Sequence, residues 1–139
     1  MYDDIDFNEI FNDSYAAILE DEISFYALFY QNFIKQSPFI KETFSNIDLH
    51  SQGKLLNKAI AHLIEFSFTK KADHYLIDLA KSHKSKLHID NEMYDLFMNA
   101  LLLSLKQFYP KFNNNCAVAW RILLAPGIEL MKHIPDELT

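Results

Sequence analysis

LIDLAKSHKSKLHIDNEMY, residues Leu76 to Tyr94, is the stretch whose reading decides the fold. Residues three or four apart share one face of an α-helix, so Leu76, Leu79, Ala80 and His83 form an apolar stripe whose last full turn ends on an imidazole. A buried ligand of that ring would sit there. Lys84, Ser85 and Lys86 interrupt the stripe and Leu87, His88 and Ile89 follow it, after which Asp90 or Asn91 is suited to cap a new helix opening with Glu92 and Met93. The chain therefore turns a corner just past His83. A lone histidine at a helix end serves equally well as a residue bonded to a backbone carbonyl, so the rest of the chain must say whether this one faces a pocket.

A chain of 139 residues has room for one domain, here taken as residues 1–139, that buries about two-thirds of its unfolded surface. Hydrophobic residues make up 50% and aromatics 14% of it, with 12 Phe and 7 Tyr, enough for a large core or an aromatic-walled pocket. With only 2 Gly there is no glycine-rich phosphate loop and little material for hairpin turns, so the composition points to helices. The net charge of −6 argues against a nucleic-acid surface, which needs clustered Lys and Arg. Cys116 stands alone, excluding an intrachain disulfide and a multi-cysteine metal site. The acidic start MYDDIDFNE lacks the basic-then-apolar pattern of a secretory signal and no apolar run is long enough for a membrane span. A soluble, cytoplasmic protein without membrane contact is expected.

Upstream of the deciding stretch, Ile10, Phe11, Tyr15 and Ile18 predict a helix over about Asp6 to Leu19, and Glu20 to Glu22 favour the start of another. Tyr26, Phe29, Tyr30, Phe33 and Ile34 form one stripe of a helix from Ile23 to Gln36, stopped by Ser37 and Pro38. Pro38 then opens a short helical turn reaching Phe44. After a polar loop, Gln52, Leu56, Ala59, Leu63 and Phe66 repeat at spacings of four, three, four and three on a helix from His50 or Ser51 to Phe68. That periodicity carries Gln52 inward at the head of an apolar face, unless its first turn is still solvated. Downstream, Tyr94, Phe97, Met98, Leu101, Leu105 and Phe108 make a long stripe ended by Pro110. The last helix is expected from Cys116 to Lys132, with Trp120 inward and a kink at Pro126–Gly127. There is no internal repeat and no low-complexity linker.

Three phased segments resemble the globin family, in particular bacterial single-domain and flavohaemoglobin-type haemoglobins. LAKSHKSKLHID with the aromatic Tyr94 looks like the segment carrying the proximal histidine and turning into the next long helix. FYQNFIKQSPFIKETF, from Phe29 to Phe44, is similar to the family's second and third helices: Tyr30 matches the distal tyrosine, Pro38 follows eight residues later, and Phe44 six beyond that. QGKLLNKAIAHL, from Gln52 to Leu63, looks like the distal helix, and Trp120 matches the tryptophan of the last helix. The likeness spans about Phe25 to Met131.

The resemblance implies an all-α globin fold of six to seven helices around haem b, with His83 on the iron. Phe44, Leu56, Leu79, His83, His88 and Tyr94 are the expected cofactor contacts. His88 is expected near a propionate, and the Leu79 carbonyl is expected to accept the second N–H of His83. Tyr30, Gln52 and Leu56 are the expected surroundings of a diatomic ligand, O2, NO or CO. Two donors worth about 1 kcal/mol each would slow oxygen release by roughly an order of magnitude together. His50, His62 and His74 lie off the stripes or near a helix start.

One departure is informative. The family's glutamate that bonds the proximal histidine falls here on Pro135, and Glu129 comes one and a half turns too early. A strongly electron-donating proximal site, and peroxidase-like chemistry with it, is not expected. The implied function is reversible gas binding by a monomer or homodimer, extending to nitric oxide detoxification with electrons from a separate reductase. The rival is a gas or redox sensor, or a haem-free interaction module. No paired carboxylates or nucleophile–base spacing suggest an acid–base enzyme.

Overall fold

The computed structural model describes residues 5–137, the last three by backbone alone. Among these residues the chain forms α1 (Phe7–Glu20), α2 (Glu22–Ile34), α3 (Pro38–Thr43), α4 (Leu49–Thr69), α5 (His74–Ser85), α6 (Asn91–Phe108) and α7 (Asn114–Glu137), with no strand. The starts follow one rule, a short polar side chain accepting from a backbone N–H of the first turn. Asp6 holds Glu9 N at 3.1 Å, Asp48 holds His50 N at 3.1 Å, Asp73 holds Leu76 N at 2.9 Å and Asp90 holds Met93 N at 3.1 Å. Of the two residues suited to cap α6, Asp90 does so and Asn91 is helical. Asn113 does the same for α7 through Cys116 N at 2.9 Å, so that helix starts earlier than Cys116, and it runs without a break through Pro126 and Gly127. α4 begins at Leu49 because Asp48 is the cap, while the Ser51 hydroxyl donates to the same carboxylate at 2.9 Å.

α7 is the backbone of the packing and meets α1, α4 and α5, while α2 crosses α4 and α6. Both glycines sit where two helices come closest. A Cβ on Gly127 would lie 2.5 Å from Leu63 Cδ2 and 3.4 Å from Leu63 Cα, and one on Gly53 would lie 3.1 Å from Tyr26 Cβ. Their lack of a side chain brings α4 against α7 and α2.

Trp120 is fully buried, with its ring 4.5 Å from that of Phe11 and its Nε1–H donating to Ser14 Oγ at 2.8 Å. Ser14 passes its own proton to the Phe11 carbonyl at 2.8 Å, so the buried polar pair is satisfied. Asn32 joins α2 to α6 in the same way, donating to Ser104 Oγ and Gln107 Oε1, both at 2.9 Å. No helix among the described residues is long and apolar enough to cross a membrane.

Candidate functional site

On the other side of the molecule the helices do not close. A cleft opens between α2, α3 and α4 on one wall and α5 and α6 on the other, with Ile128 and Met131 of α7 behind it. Its cavity volume is about 200 Å³. The walls are overwhelmingly apolar, and the polar exceptions are few.

Tyr30, Gln52 and His83 are three of those exceptions. Tyr30 comes from the buried stripe of α2 and its hydroxyl donates to the Gln52 backbone carbonyl over a long 3.4 Å, leaving it able to turn to a better acceptor. Burial pushes the Tyr30 hydroxyl well above its ordinary range, partly offset by the Gln52 side chain beside it, so it remains a donor at neutral pH. Phe44 stacks its ring at a tilt 5.5 Å from Tyr30, and Leu56 lies half-buried on the adjoining turn of α4. Gln52 is half-buried, facing the cleft from the first turns of α4.

His83 enters from α5, and no other histidine of the described residues lines this cleft. Its Nδ1 lies 3.1 Å from the hydroxyl of Tyr94, brought across the corner by α6. This corrects the expected partner, since the bond goes to Tyr94 and not to the Leu79 carbonyl. In an α-helix that carbonyl accepts from the backbone N–H of residue 83, while the phenol can meet the ring edge-on. Leu79 itself lines the cleft. Burial pushes the His83 imidazole down to about 4 and the Tyr94 phenol up to about 12, so two neutral groups share one hydrogen bond. With Nδ1 held by Tyr94, Nε2 is the nitrogen left for a ligand in the cleft.

His88 lies beside the cleft and not in its lining. It is exposed at φ 55, in the left-handed region, and lines an adjoining hollow with Ala80, Lys84 and Lys132 instead of the cleft. The left-handed turn at the corner, where Ile89 N donates to the His83 carbonyl at 2.8 Å, carries its side chain away. His50 lines a third hollow against the α1–α2 corner, and His62 pairs with Asp73. The Glu129 carboxylate is engaged at the surface by Lys132 at 3.1 Å, with His133 at 3.8 Å. The Pro135 side chain lies outside the described residues.

Sequence periodicity placed Phe29, Phe33, Phe97 and Met131 on inward stripes without assigning them to a pocket, yet all line the cleft. The available signal was the spacing of three residues from Tyr30 to Phe33 and from Tyr94 to Phe97; Phe29 and Met131 carried none toward the pocket. Tyr75, Leu87 and Ile89 also line it and lie on no stripe, because helix-start and corner residues have no periodicity to read.

The Globin family model matches residues 27–128, which is most of the chain. The chain belongs to the globin family. Among solved structures, this globin is similar to a protein from Pseudomonas aeruginosa PAO1 described as structurally highly homologous to a human haemoglobin. The two are 28% identical with a TM-score of 0.83, and the match covers 93% of this globin and 98% of the other chain. No curated protein sequence matches it significantly. Membership brings the general property of globins, binding of haem and through it of diatomic gases such as dioxygen. The cleft fits such a group on its own terms: it offers one neutral imidazole, apolar walls that exclude water, and a phenol and an amide on the opposite wall.

Proposed function

We propose that this globin holds haem b in the cleft with His83 on the iron, and reversibly binds O2, NO or CO with slow release. The observation that carries the proposal is that a single histidine lines the cleft while Tyr30 and Gln52 line it from another helix pair. Bound haem supplies the iron position at which a diatomic gas coordinates. The chain's own residues do the rest. Nδ1–H of His83 donates to Tyr94 Oη, which fixes the ring plane and directs Nε2 into the cleft. A neutral phenol is a weaker acceptor than a carboxylate, so the imidazole gains little electron density and peroxidase-like chemistry is not favoured. Phe44 and Leu56 keep water from the gas, and the Tyr30 hydroxyl and Gln52 amide donate to it when it carries partial negative charge.

The same arrangement supports conversion of NO with dioxygen to nitrate, a reaction that needs one electron per turnover. A separate cytoplasmic reductase is the proposed source. Absorption spectra test the assignment: the purified protein should show an intense band near roughly 400 nm that shifts under carbon monoxide, and His83→Ala should lose it. Failure to take up supplied haem would favour a haem-free interaction module. Rapid NO consumption by the oxygen-loaded protein supports the detoxifying role, and an inert oxygen-loaded protein removes it.

A further inference from the structure

A second constellation of ligating side chains lies at the junction of α4 and α5, away from His83. His62 and Glu65 stand three residues apart near the end of α4, Asp73 caps α5, and one ligand atom from each lies within 4.8 Å of the others. Two of the three are already set in place. His62 Nδ1 is 2.7 Å from Asp73 Oδ2, while Asp73 Oδ1 is held by Leu76 N at 2.9 Å. The His62 ring lies flat on Tyr75, with centroids 4.1 Å apart and planes 16° apart, which fixes its orientation independently of the carboxylate. Glu65 is exposed and on a flexible stem, so it can move in.

We propose that His62, Glu65 and Asp73 bind a divalent transition-metal ion of the zinc class, with water completing its shell. One imidazole nitrogen and two carboxylate oxygens suit zinc and its neighbours, whereas calcium takes six to eight oxygens and magnesium a near-octahedral oxygen shell. Bonds of about 2.0–2.2 Å put neighbouring ligand atoms roughly 3.3 Å apart. The His62–Asp73 pair therefore opens by about half an ångström as the ion replaces the proton between them, and Glu65 closes in. The two carboxylates balance the ion's charge. Lys58, whose Nζ lies 4.9 Å from the Tyr75 ring centroid, and His74 beside Asp73 are the cationic groups that oppose it.

The ion's place gives it a structural consequence. It clips α4, which carries Gln52, to α5, which carries His83, across a connector that turns through left-handed Lys70 at φ 57. Occupancy should raise the melting temperature.

Calorimetric titration of the purified protein with zinc sulfate at about pH 7.5 tests the site, with magnesium as a comparison ion. One equivalent of zinc and no magnesium should bind, with a higher melting temperature in zinc. Glu65→Gln should weaken zinc about tenfold or more, and His62→Gln should abolish saturable binding. Asp73→Asn keeps a residue able to cap α5 and so tests the ligand without losing the helix start. A His83→Ala background should leave the stoichiometry unchanged, which separates this site from the cleft. Absence of saturable zinc binding overturns the proposal, as does wild-type affinity in His62→Gln or Glu65→Gln; the pair is then an ordinary link between helices.

Discussion

The Trp120 end of the molecule and the cleft side are built from the same kinds of helix but are packed to different standards. Even among the helices that wall the cleft the burial is uneven: α6 buries seven of its 18 residues and α2 six of 13, whereas α4 buries three of 21 and α5 two of 12. The difference does not come from weaker patterning. Leu56 and Leu79 are as apolar as anything around Trp120, yet they remain half-buried because the space they face is the cleft. Packing density decides what a lost atom costs, so the two sides should respond differently to the same kind of truncation.

The sharpest test of that difference is a pair of truncations. Trp120→Ala should cost about 3–5 kcal/mol, since it removes the ring packed on Phe11 and takes away the donor that Ser14 accepts. Leu56→Ala on the haem-free protein should cost about 1 kcal/mol or less, because its side chain already borders open space. Urea unfolding measures both, and equal losses would erase the distinction between a finished core and an unfinished one.

Acidification should act on the cleft side through the His83 ring. Burial holds the His83 ring at about 4 against an ordinary value of 6.5, so the unfolded chain binds the proton first. In the haem-free protein the stability due to the neutral ring is therefore complete above pH 6.5 and drains as pH falls towards 4, by about 3 kcal/mol in all. His83→Leu should flatten that part of the curve. An unchanged pH profile in His83→Leu would show that the ring is solvated.

Gly127 lies where the two sides join. Gly127→Ala sets a methyl 2.5 Å from Leu63 Cδ2, a flexible tip, and 3.4 Å from Leu63 Cα, which is not flexible. Part of the clash relaxes as Leu63 turns, so the loss should be about 1–3 kcal/mol. Because Leu63 also lines the cleft, haem uptake should slow in the same variant. Thermal melting and the rate at which the haem band grows check the two halves of this expectation.

Legibility in the sequence divides along the same line. Helices were readable because stripes such as Tyr26–Phe29–Tyr30–Phe33 have a period and because Asp90 or Asn91 marks a start, whereas the caps Asp48 and Asp73 went unread inside polar connectors. Periodicity says that Phe97 and Leu101 both point inward, but not that Phe97 meets a cleft and Leu101 a closed core. That depends on how far apart two helices stand, which Gly53 and Gly127 set through contacts distant in sequence. The corner was least legible, because His88 takes a left-handed φ of 55 and no spacing rule registers a single dihedral.

The smallest expected effect asks whether the cleft's open wall has a purpose. Tyr30 is buried as thoroughly as a core residue, yet its hydroxyl reaches the Gln52 carbonyl over a long 3.4 Å, with the Gln52 side chain beside it. A core tyrosine ordinarily finds a shorter partner, as Tyr26 does with Asn57 Oδ1 at 2.8 Å. The poorly bonded hydroxyl is thus the one that gains most from a polar diatomic ligand. Tyr30→Phe should leave folding stability nearly unchanged and speed oxygen release about fivefold, the equivalent of one net hydrogen bond near 1 kcal/mol. Tyr26→Phe should do the reverse, costing stability because Asn57 Oδ1 loses its 2.8 Å bond and keeps only the longer one from Tyr15 at 3.2 Å, while leaving release alone. Stopped-flow release rates read beside unfolding curves distinguish the two, and identical behaviour of the pair would mean that the cleft tyrosine is merely another core residue.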